Sequence, residues 1–165
     1  MLVGLMADTH DCLPMVDTAV KALNREGVEL VLHAGDYVAP FVISELMKLK
    51  AKFIGVYGNN DGDKDLLKKK SGERDRFEIR GTFASISIEE VQTALLHGSE
   101  PELLKALIKQ EAFDLVIFGH THRLDITQHG KTYVINPGEV CGYISGKSTV
   151  AVFDSDTFET EIIEL

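Results

Sequence analysis

Seven side chains of the kinds that bind divalent metal ions follow apolar runs in this chain of 165 residues: Asp8 and His10, Asp36, Asn59, His97, and His120 with His122. Taken singly, each has an ordinary explanation, since Asp and Asn favour turns and a lone His is usually a surface or satisfied core residue. Taken together, they recur at the carboxyl ends of apolar segments. Four imidazoles, two carboxylates and one amide oxygen, with no thiolate, suit manganese, iron, cobalt, nickel or zinc better than calcium or magnesium. That is too many ligands for one such ion. Two ions about 3.5 to 4 Å apart, sharing one carboxylate, would use them all and would clamp an in-line displacement at phosphorus. A water or hydroxide bridging such a pair is acidified enough to attack at neutral pH.

The elements that must position these ligands are strands whose ends line up. Leu2 to Met6 reads as a buried strand, and in extended backbone Asp8 and His10, two apart, point to one spot. Val16, Ala19, Val20 and Leu23 have helical spacing, and Gly27 sits where a left-handed cap would end that helix. Glu29 to His33 is a second strand running into Ala34-Gly35-Asp36. Pro40 opens a second helix with Val42, Leu46 and Leu49 inside. Lys52 to Tyr57 is a third strand ending in Gly58-Asn59-Asn60-Asp61-Gly62. Strand-helix units with polar residues gathered at the strand ends predict a largely parallel sheet with its site along that edge.

Lys64 to Lys70 reads as a short helix, followed by a charged connection. From Phe77 the pattern becomes alternating: Phe77 to Arg80, Thr82 to Ile88 and Val91 to Leu96 read as strands of a second sheet or a mixed edge of the first. Ser99 to Glu102 has the spacing of a capping box, opening a helix whose apolar face is Leu103, Leu104, Leu107 and Ile108. Asp114 to Phe118 is a buried strand that delivers Gly119-His120-Thr121-His122. A hairpin over Asp125 to His129 and Lys131 to Ile135, a tight turn at Asn136-Pro137-Gly138, and a closing hairpin over Thr149 to Asp154 and Thr157 to Ile163 complete the chain.

Composition bounds the function. The length fits one domain over residues 1–165, and 44% hydrophobic with 26% charged residues is ordinary for a soluble globular chain. Seventeen basic against 26 acidic residues give a net charge of -9, which argues against bulk nucleic-acid binding. Bound divalent ions would reverse the charge locally, so a small phosphate could still be drawn to one cleft. Cys12 and Cys141 form no CxxC pair and too small a set for a disulfide framework, which implies reduced thiols and a cytoplasmic location. The first apolar run is too short for a signal-peptide core, and nothing approaches the roughly 20 apolar residues of a membrane span.

The motifs Asp8-Thr9-His10, Gly35-Asp36, Gly58-Asn59-Asn60-Asp61, His97-Gly98 and Gly119-His120-Thr121-His122 resemble, in order, those of the calcineurin-like metallophosphoesterases. The likeness is to their small single-domain phosphodiesterase branch of bacteria and archaea, whose fold is shared by a retromer subunit. It implies an α/β fold in four layers, α/β/β/α, with two mixed sheets face to face and helices outside. It implies a first metal on Asp8, His10 and His122, a second on Asn59, His97 and His120, and Asp36 as the bridge. The cofactors would be two divalent transition-metal ions, manganese first, with nickel, cobalt, iron or zinc as substitutes. The activity would be hydrolysis of a small phosphate ester, a diester above all, by a metal-bridging hydroxide. One position departs from the family pattern: Asn60 stands where a leaving-group histidine is common, with Asp61 in support. An amide can donate a hydrogen bond but cannot deliver a proton near neutral pH, so diesters and esters with good leaving groups are expected.

Other residues read as supporting or inert. His33, inside the second strand, is expected to be a buried hydrogen-bonded neighbour of the site, and His129 an exposed hairpin residue. Gly142 to Ser148 faintly resembles a phosphate-cradling loop, but strand residues follow where a helix is required. Neither cysteine has a partner base in the sequence, which argues against thiol catalysis. The alternatives are an interaction scaffold that keeps the fold without catalysis, and a nucleotide-binding module, against which the absent GxGxxG speaks. The loops around residues 60 to 76 and 136 to 147 are expected to set substrate specificity, and the sheet-rich tail could pair chains into a dimer or tetramer.

Overall fold

A computed structural model describes all residues, 1–165. The first sheet collects β1 (Leu2–Met6), β2 (Leu30–His33), β3 (Lys52–Gly55), β4 (Phe77–Ile79), β10 (Thr149–Asp154) and β11 (Thr160–Glu164), in the order β11-β10-β1-β2-β3-β4. Strands β1 to β4 run parallel, and β10 and β11 add antiparallel at the β1 edge. The second sheet has the order β5-β6-β7-β9-β8, from β5 (Phe83–Ile88), β6 (Val91–Leu96), β7 (Leu115–Ile117), β8 (Leu124–His129) and β9 (Thr132–Pro137). Here β6, β7 and β9 are parallel, with β5 and β8 antiparallel at the edges. The alternating segments after Phe77 are thus divided: β4 is the edge of the first sheet, while β5 and β6 belong to the second.

Alternation along the strands builds three cores. Between the sheets, Val3, Leu5, Leu32, Ile54 and Phe153 meet Ile86, Leu95, Leu115, Ile117 and Ile135. On the outer face of the first sheet, α1 (Leu13–Glu26), α2 (Val42–Leu46) and α3 (Lys64–Ser71) pack Val16, Leu23, Ile43, Leu46 and Leu67 onto Val31, Phe53 and Val150. On the outer face of the second, α4 (Pro101–Gln110) covers Ala94, Leu96, Val116 and Val134 with half-buried Leu104, Leu107 and Ile108. The result is the expected sandwich of helices, sheet, sheet and helix. No helix is long and apolar enough to cross a membrane.

Register aligns the functional edge. Met6 pairs with His33, and His33 with Gly55, so the segments holding Asp8, Asp36 and Asn59 leave the first sheet side by side. In the second sheet Leu95, Ile117 and Ile135 are level, which sends His97, His120 and Asn136 off the same edge. Gly27, at φ 70°, ends α1 in the left-handed cap the sequence predicts.

Four local expectations need correction. Asp8 and His10 do not continue an extended strand: β1 ends at Met6, and both residues adopt left-handed backbone, φ 50° and 42°. Ser99 does not close a capping box, because α4 is capped at Glu100 without a side-chain hydrogen bond and the Ser99 hydroxyl donates to Glu100 instead. Leu103 is exposed rather than core. Asn136 and Pro137 remain in β9, paired with Asp125 and Leu124, and the chain turns only at Gly138, φ 80°.

Candidate active site

All seven predicted ligands, with Asn60 and Asp61, gather where the two sheets deliver their strand ends. The first-sheet loops are laced by backbone bonds: the Asp8 N–H donates to the Gly35 carbonyl at 3.1 Å and the His10 N–H to the Asp36 carbonyl at 2.9 Å. Asp61 anchors the Asp36 turn. Its carboxylate accepts from the N–H groups of Asp36 (3.1 Å), Tyr37 (2.6 Å), Val38 (2.8 Å) and Gly58 (2.7 Å). Gly58 is required by close approach, since a Cβ there would lie 2.0 Å from Asp36 Oδ1. Asn60 donates to both Asp36 oxygens, from its backbone N–H at 2.9 Å and from Nδ2 at 2.7 Å. Burial favours the neutral form of Asp36, but His97 and Asn60 outweigh it and hold the carboxyl well below its usual range.

Around Asp36 the lone pairs converge. His97 donates from Nδ1 to the Ala34 carbonyl at 2.7 Å, which leaves Nε2 facing Asn59 Oδ1 at 2.9 Å and Asp36 Oδ2 at 3.3 Å. In the tautomer set by Ala34, three acceptor atoms crowd one point, an arrangement relieved by a proton or a cation between them. Without a cation, burial opposes protonation of His97 but Asp36 overcomes it, so the imidazole pKa is raised. The His120 ring lies edge-on to His97, centroids 5.1 Å apart, and its backbone N–H donates to Asp8 Oδ2 at 3.0 Å.

On the other side, His122 donates from Nδ1 to Glu139 at 2.6 Å, leaving Nε2 toward Asp8 Oδ1 at 3.7 Å. His10 lies 5.2 Å from the His122 ring, and its Nε2 is 3.8 Å from Asp36 Oδ2. That Nε2 is buried with no hydrogen-bond partner. Burial holds the His10 imidazole below its usual pKa and raises the Asp8 carboxyl to about 6. An orphaned ring nitrogen facing carboxylates, in a site of imidazole and oxygen donors, fits borderline divalent ions.

Two further donor groupings complete the geometry. The ligand atoms of Asp8, Asp36 and His97 lie within 4.8 Å of one another, as do those of His10, His122 and Cys141. Cys141 therefore borders the site, but burial and its bond to Glu139 push its thiol up to about 12, so the metal-free group is no nucleophile.

Three supporting residues escape sequence reading. Glu139, wholly buried, accepts from His122, from the Cys141 thiol, from the N–H groups of Tyr143, Ile144 and Ser145, and from the Ser145 hydroxyl. Burial opposes its charge, yet these donors lower its pKa to about 2. Its one signal was an acidic residue lodged between Gly138 and Val140. Asn136 donates to the Gly119 carbonyl (2.8 Å) and Thr121 Oγ1 (3.0 Å), fixing the histidine loop. Thr9 bonds His33 Nε2 at 3.1 Å and donates to the Asp36 carbonyl. His33 is the buried neighbour expected: Gly35 N–H donates to its Nδ1 at 3.0 Å, and desolvation lowers its pKa to about 3. His129 is exposed on β8.

Comparisons with known proteins bear on the family and the fold. The pattern of the calcineurin-like phosphoesterase superfamily domain matches residues 1–157. A phosphodiesterase of Methanocaldococcus jannaschii is 39% identical over 165 residues, covering 100% of this chain and 99% of that protein. The phosphodiesterase YfcE of Escherichia coli is 27% identical over 149 residues, covering 81% of this chain and 76% of YfcE. Among solved structures, an archaeal phosphodiesterase superposes with TM-score 0.95 at 39% identity over the full length of both chains. Vps29 of Chaetomium thermophilum shares the fold, with TM-score 0.72 and 14% identity over 99% of this chain and 96% of that one.

Proposed function

The chain belongs to the calcineurin-like phosphoesterase superfamily, and from that premise we propose that it is a phosphodiesterase using two divalent transition-metal ions, manganese first. Asp8, His10 and His122 would hold one ion, Asn59, His97 and His120 the other, with Asp36 between them. When bound, two such ions supply the charge that stabilises an in-line displacement at phosphorus and acidify water for the attack. The observation that carries this reading is the convergence of His97 Nε2, Asn59 Oδ1 and Asp36 Oδ2 at 2.9 and 3.3 Å, a cluster that calls for a proton or a cation at its centre.

The chain's own residues do the positioning. Asp61 ties four backbone N–H groups and so fixes the turn that presents Asp36. Asn60 aims the Asp36 carboxylate, and its amide has no proton to give a leaving oxygen, which favours diesters and esters of acidic alcohols. A small soluble substrate, a cytoplasmic location, one domain over residues 1–165 and assembly as a dimer or tetramer accompany this reading. The free cysteines and the acidic surface support the first two.

The test is an activity screen of aryl diesters, cyclic nucleotides and monoesters against each added divalent ion, with metal analysis of protein purified without chelator. Turnover of diesters with about two ions per chain is expected. Fewer than one ion per chain, not restored by manganese, would instead favour a scaffold that retains the fold alone. Asn60→His should raise turnover of poor-leaving-group esters relative to aryl diesters; an unchanged ratio would remove Asn60 from the leaving-group account.

A further inference from the structure

The two most exposed large apolar side chains of the molecule are neighbours, Tyr143 at 61% and Ile144 at 70%. Isolated exposed apolar residues are ordinary, but these are held in place. The backbone N–H groups of Tyr143 and Ile144 each donate to Glu139 at 3.0 Å, and Ser145 adds both its N–H and its hydroxyl. Glu139 draws the polar backbone of the loop inward, and the apolar side chains are left facing out. The same carboxylate grips His122 at 2.6 Å, so the loop is tied directly to a candidate metal ligand.

Tyr143 borders the site, and Ile144 borders a cavity beside the histidine loop. The Tyr143 ring lies 6.1 Å from the His10 ring. Ile144 walls a cavity of about 440 Å³ with Phe118, Thr121, Arg123, Leu124 and Asp125. Thr121 stands between His120 and His122, so this cavity begins at the histidine loop itself. Its lining combines apolar wall, in Phe118, Leu124 and Ile144, with one guanidinium and one carboxylate, the composition that seats a flat organic group with a polar edge.

We infer that Tyr143 and Ile144 form the subsite for an aromatic group of the diester, an aryl ring or a base, on the arm that stays attached to phosphorus. The inference rests on the phosphodiesterase reading. Asn60 stands where a leaving-group histidine is common and bonds Asp36, whereas the loop lies against His10 and His122, so the retained arm is the one placed to face the loop.

The test compares phenyl and methyl p-nitrophenyl phosphate, which share a leaving group and differ only in the retained arm. Manganese-loaded wild type should prefer the phenyl ester by roughly tenfold in kcat/KM, the scale of one stacked ring. In the double variant Tyr143→Ala, Ile144→Ala the ratio should fall toward one at equal metal content. A wild-type ratio near one, or the same ratio in both proteins, overturns the subsite. So does dissociation of an oligomer in the variant with the ratio unchanged, which would make this face an interface between copies.

A second readout is independent of turnover. The Ile144 methyl resonances should shift on adding phenylphosphonate and not methylphosphonate, and a thymidine p-nitrophenyl ester then separates a base from a plain ring. If no diester is turned over, the phosphodiesterase reading fails while the methyl shifts still decide the subsite: no phenyl-specific shift overturns it.

Discussion

Five of the seven candidate ligands, Asp8, His10, Asp36, His120 and His122, sit at positive φ, between 42° and 66°. Asp and His tolerate this region better than most residues, yet each such backbone stores strain that persists only where surroundings enforce it. Here the enforcement is visible in Asp61 under the Asp36 turn, in Asn136 under the histidine loop, and in Glu139 behind His122. Two outcomes follow at this scale. Asp36→Asn should deplete both ions, since it removes the charge between them, whereas Asn59→Ala should mainly weaken one; equal metal loss in the two variants, measured by elemental analysis, would contradict the assignment. Glu139→Gln should weaken affinity for the ion at His122 by about 10- to 100-fold in chelator competition, because the imidazole loses the anion that fixes its tautomer.

Among the elements, the end of β2 is the most demanding. His33 is enclosed by Thr9, the Gly35 N–H and the Tyr37 ring, stacked at 4.1 Å, and is held neutral with its pKa lowered to about 3 by burial. Unfolded, the same imidazole titrates near its ordinary 6.5. Between those values the unfolded chain binds a proton that the folded chain refuses. Stability therefore falls as pH drops from about 6.5 toward 3, by at most about 1.4 kcal/mol per unit from this group, and is unaffected by it above that window. Urea midpoints of chelator-treated His33→Gln, taken from pH 7 to 4, should decline less steeply than those of wild type. Parallel curves would show that His33 is not the responsible group.

For the whole molecule, stability and chemistry are separated in space. Phe153, fully buried between the sheets, pairs with Val3 at the amino end of β1, the end opposite Asp8. Phe153→Ala should cost about 3 to 5 kcal/mol of unfolding free energy while the folded fraction keeps its metal content. Loss of metal in proportion to stability would mean that the strand-end site is not mechanically independent of the inter-sheet core. The net charge of -9 belongs to this scale as well. It disfavours polyanions across the surface, and bound ions would reverse it only at the cleft.

The candidate ligands could be picked out in the sequence because each is written locally, as an apolar run followed by a polar knot. The strands and helices followed from the same periodicities, and the four layers from resemblance to a family. What the tertiary structure alone decided depends on residues far apart in the chain. The left-handed turns at Asp8 and His10 answer to backbone carbonyls on the neighbouring loop, so extended spacing could not foresee them. The division of β4 from β5 depends on which sheet has a free edge. Glu139 became part of the site because β9 carries it behind His122, 17 residues away, and no local pattern marks a carboxylate whose partners are supplied by folding. Short-range chemistry named the atoms that could bind metal; long-range register chose the supports that aim them.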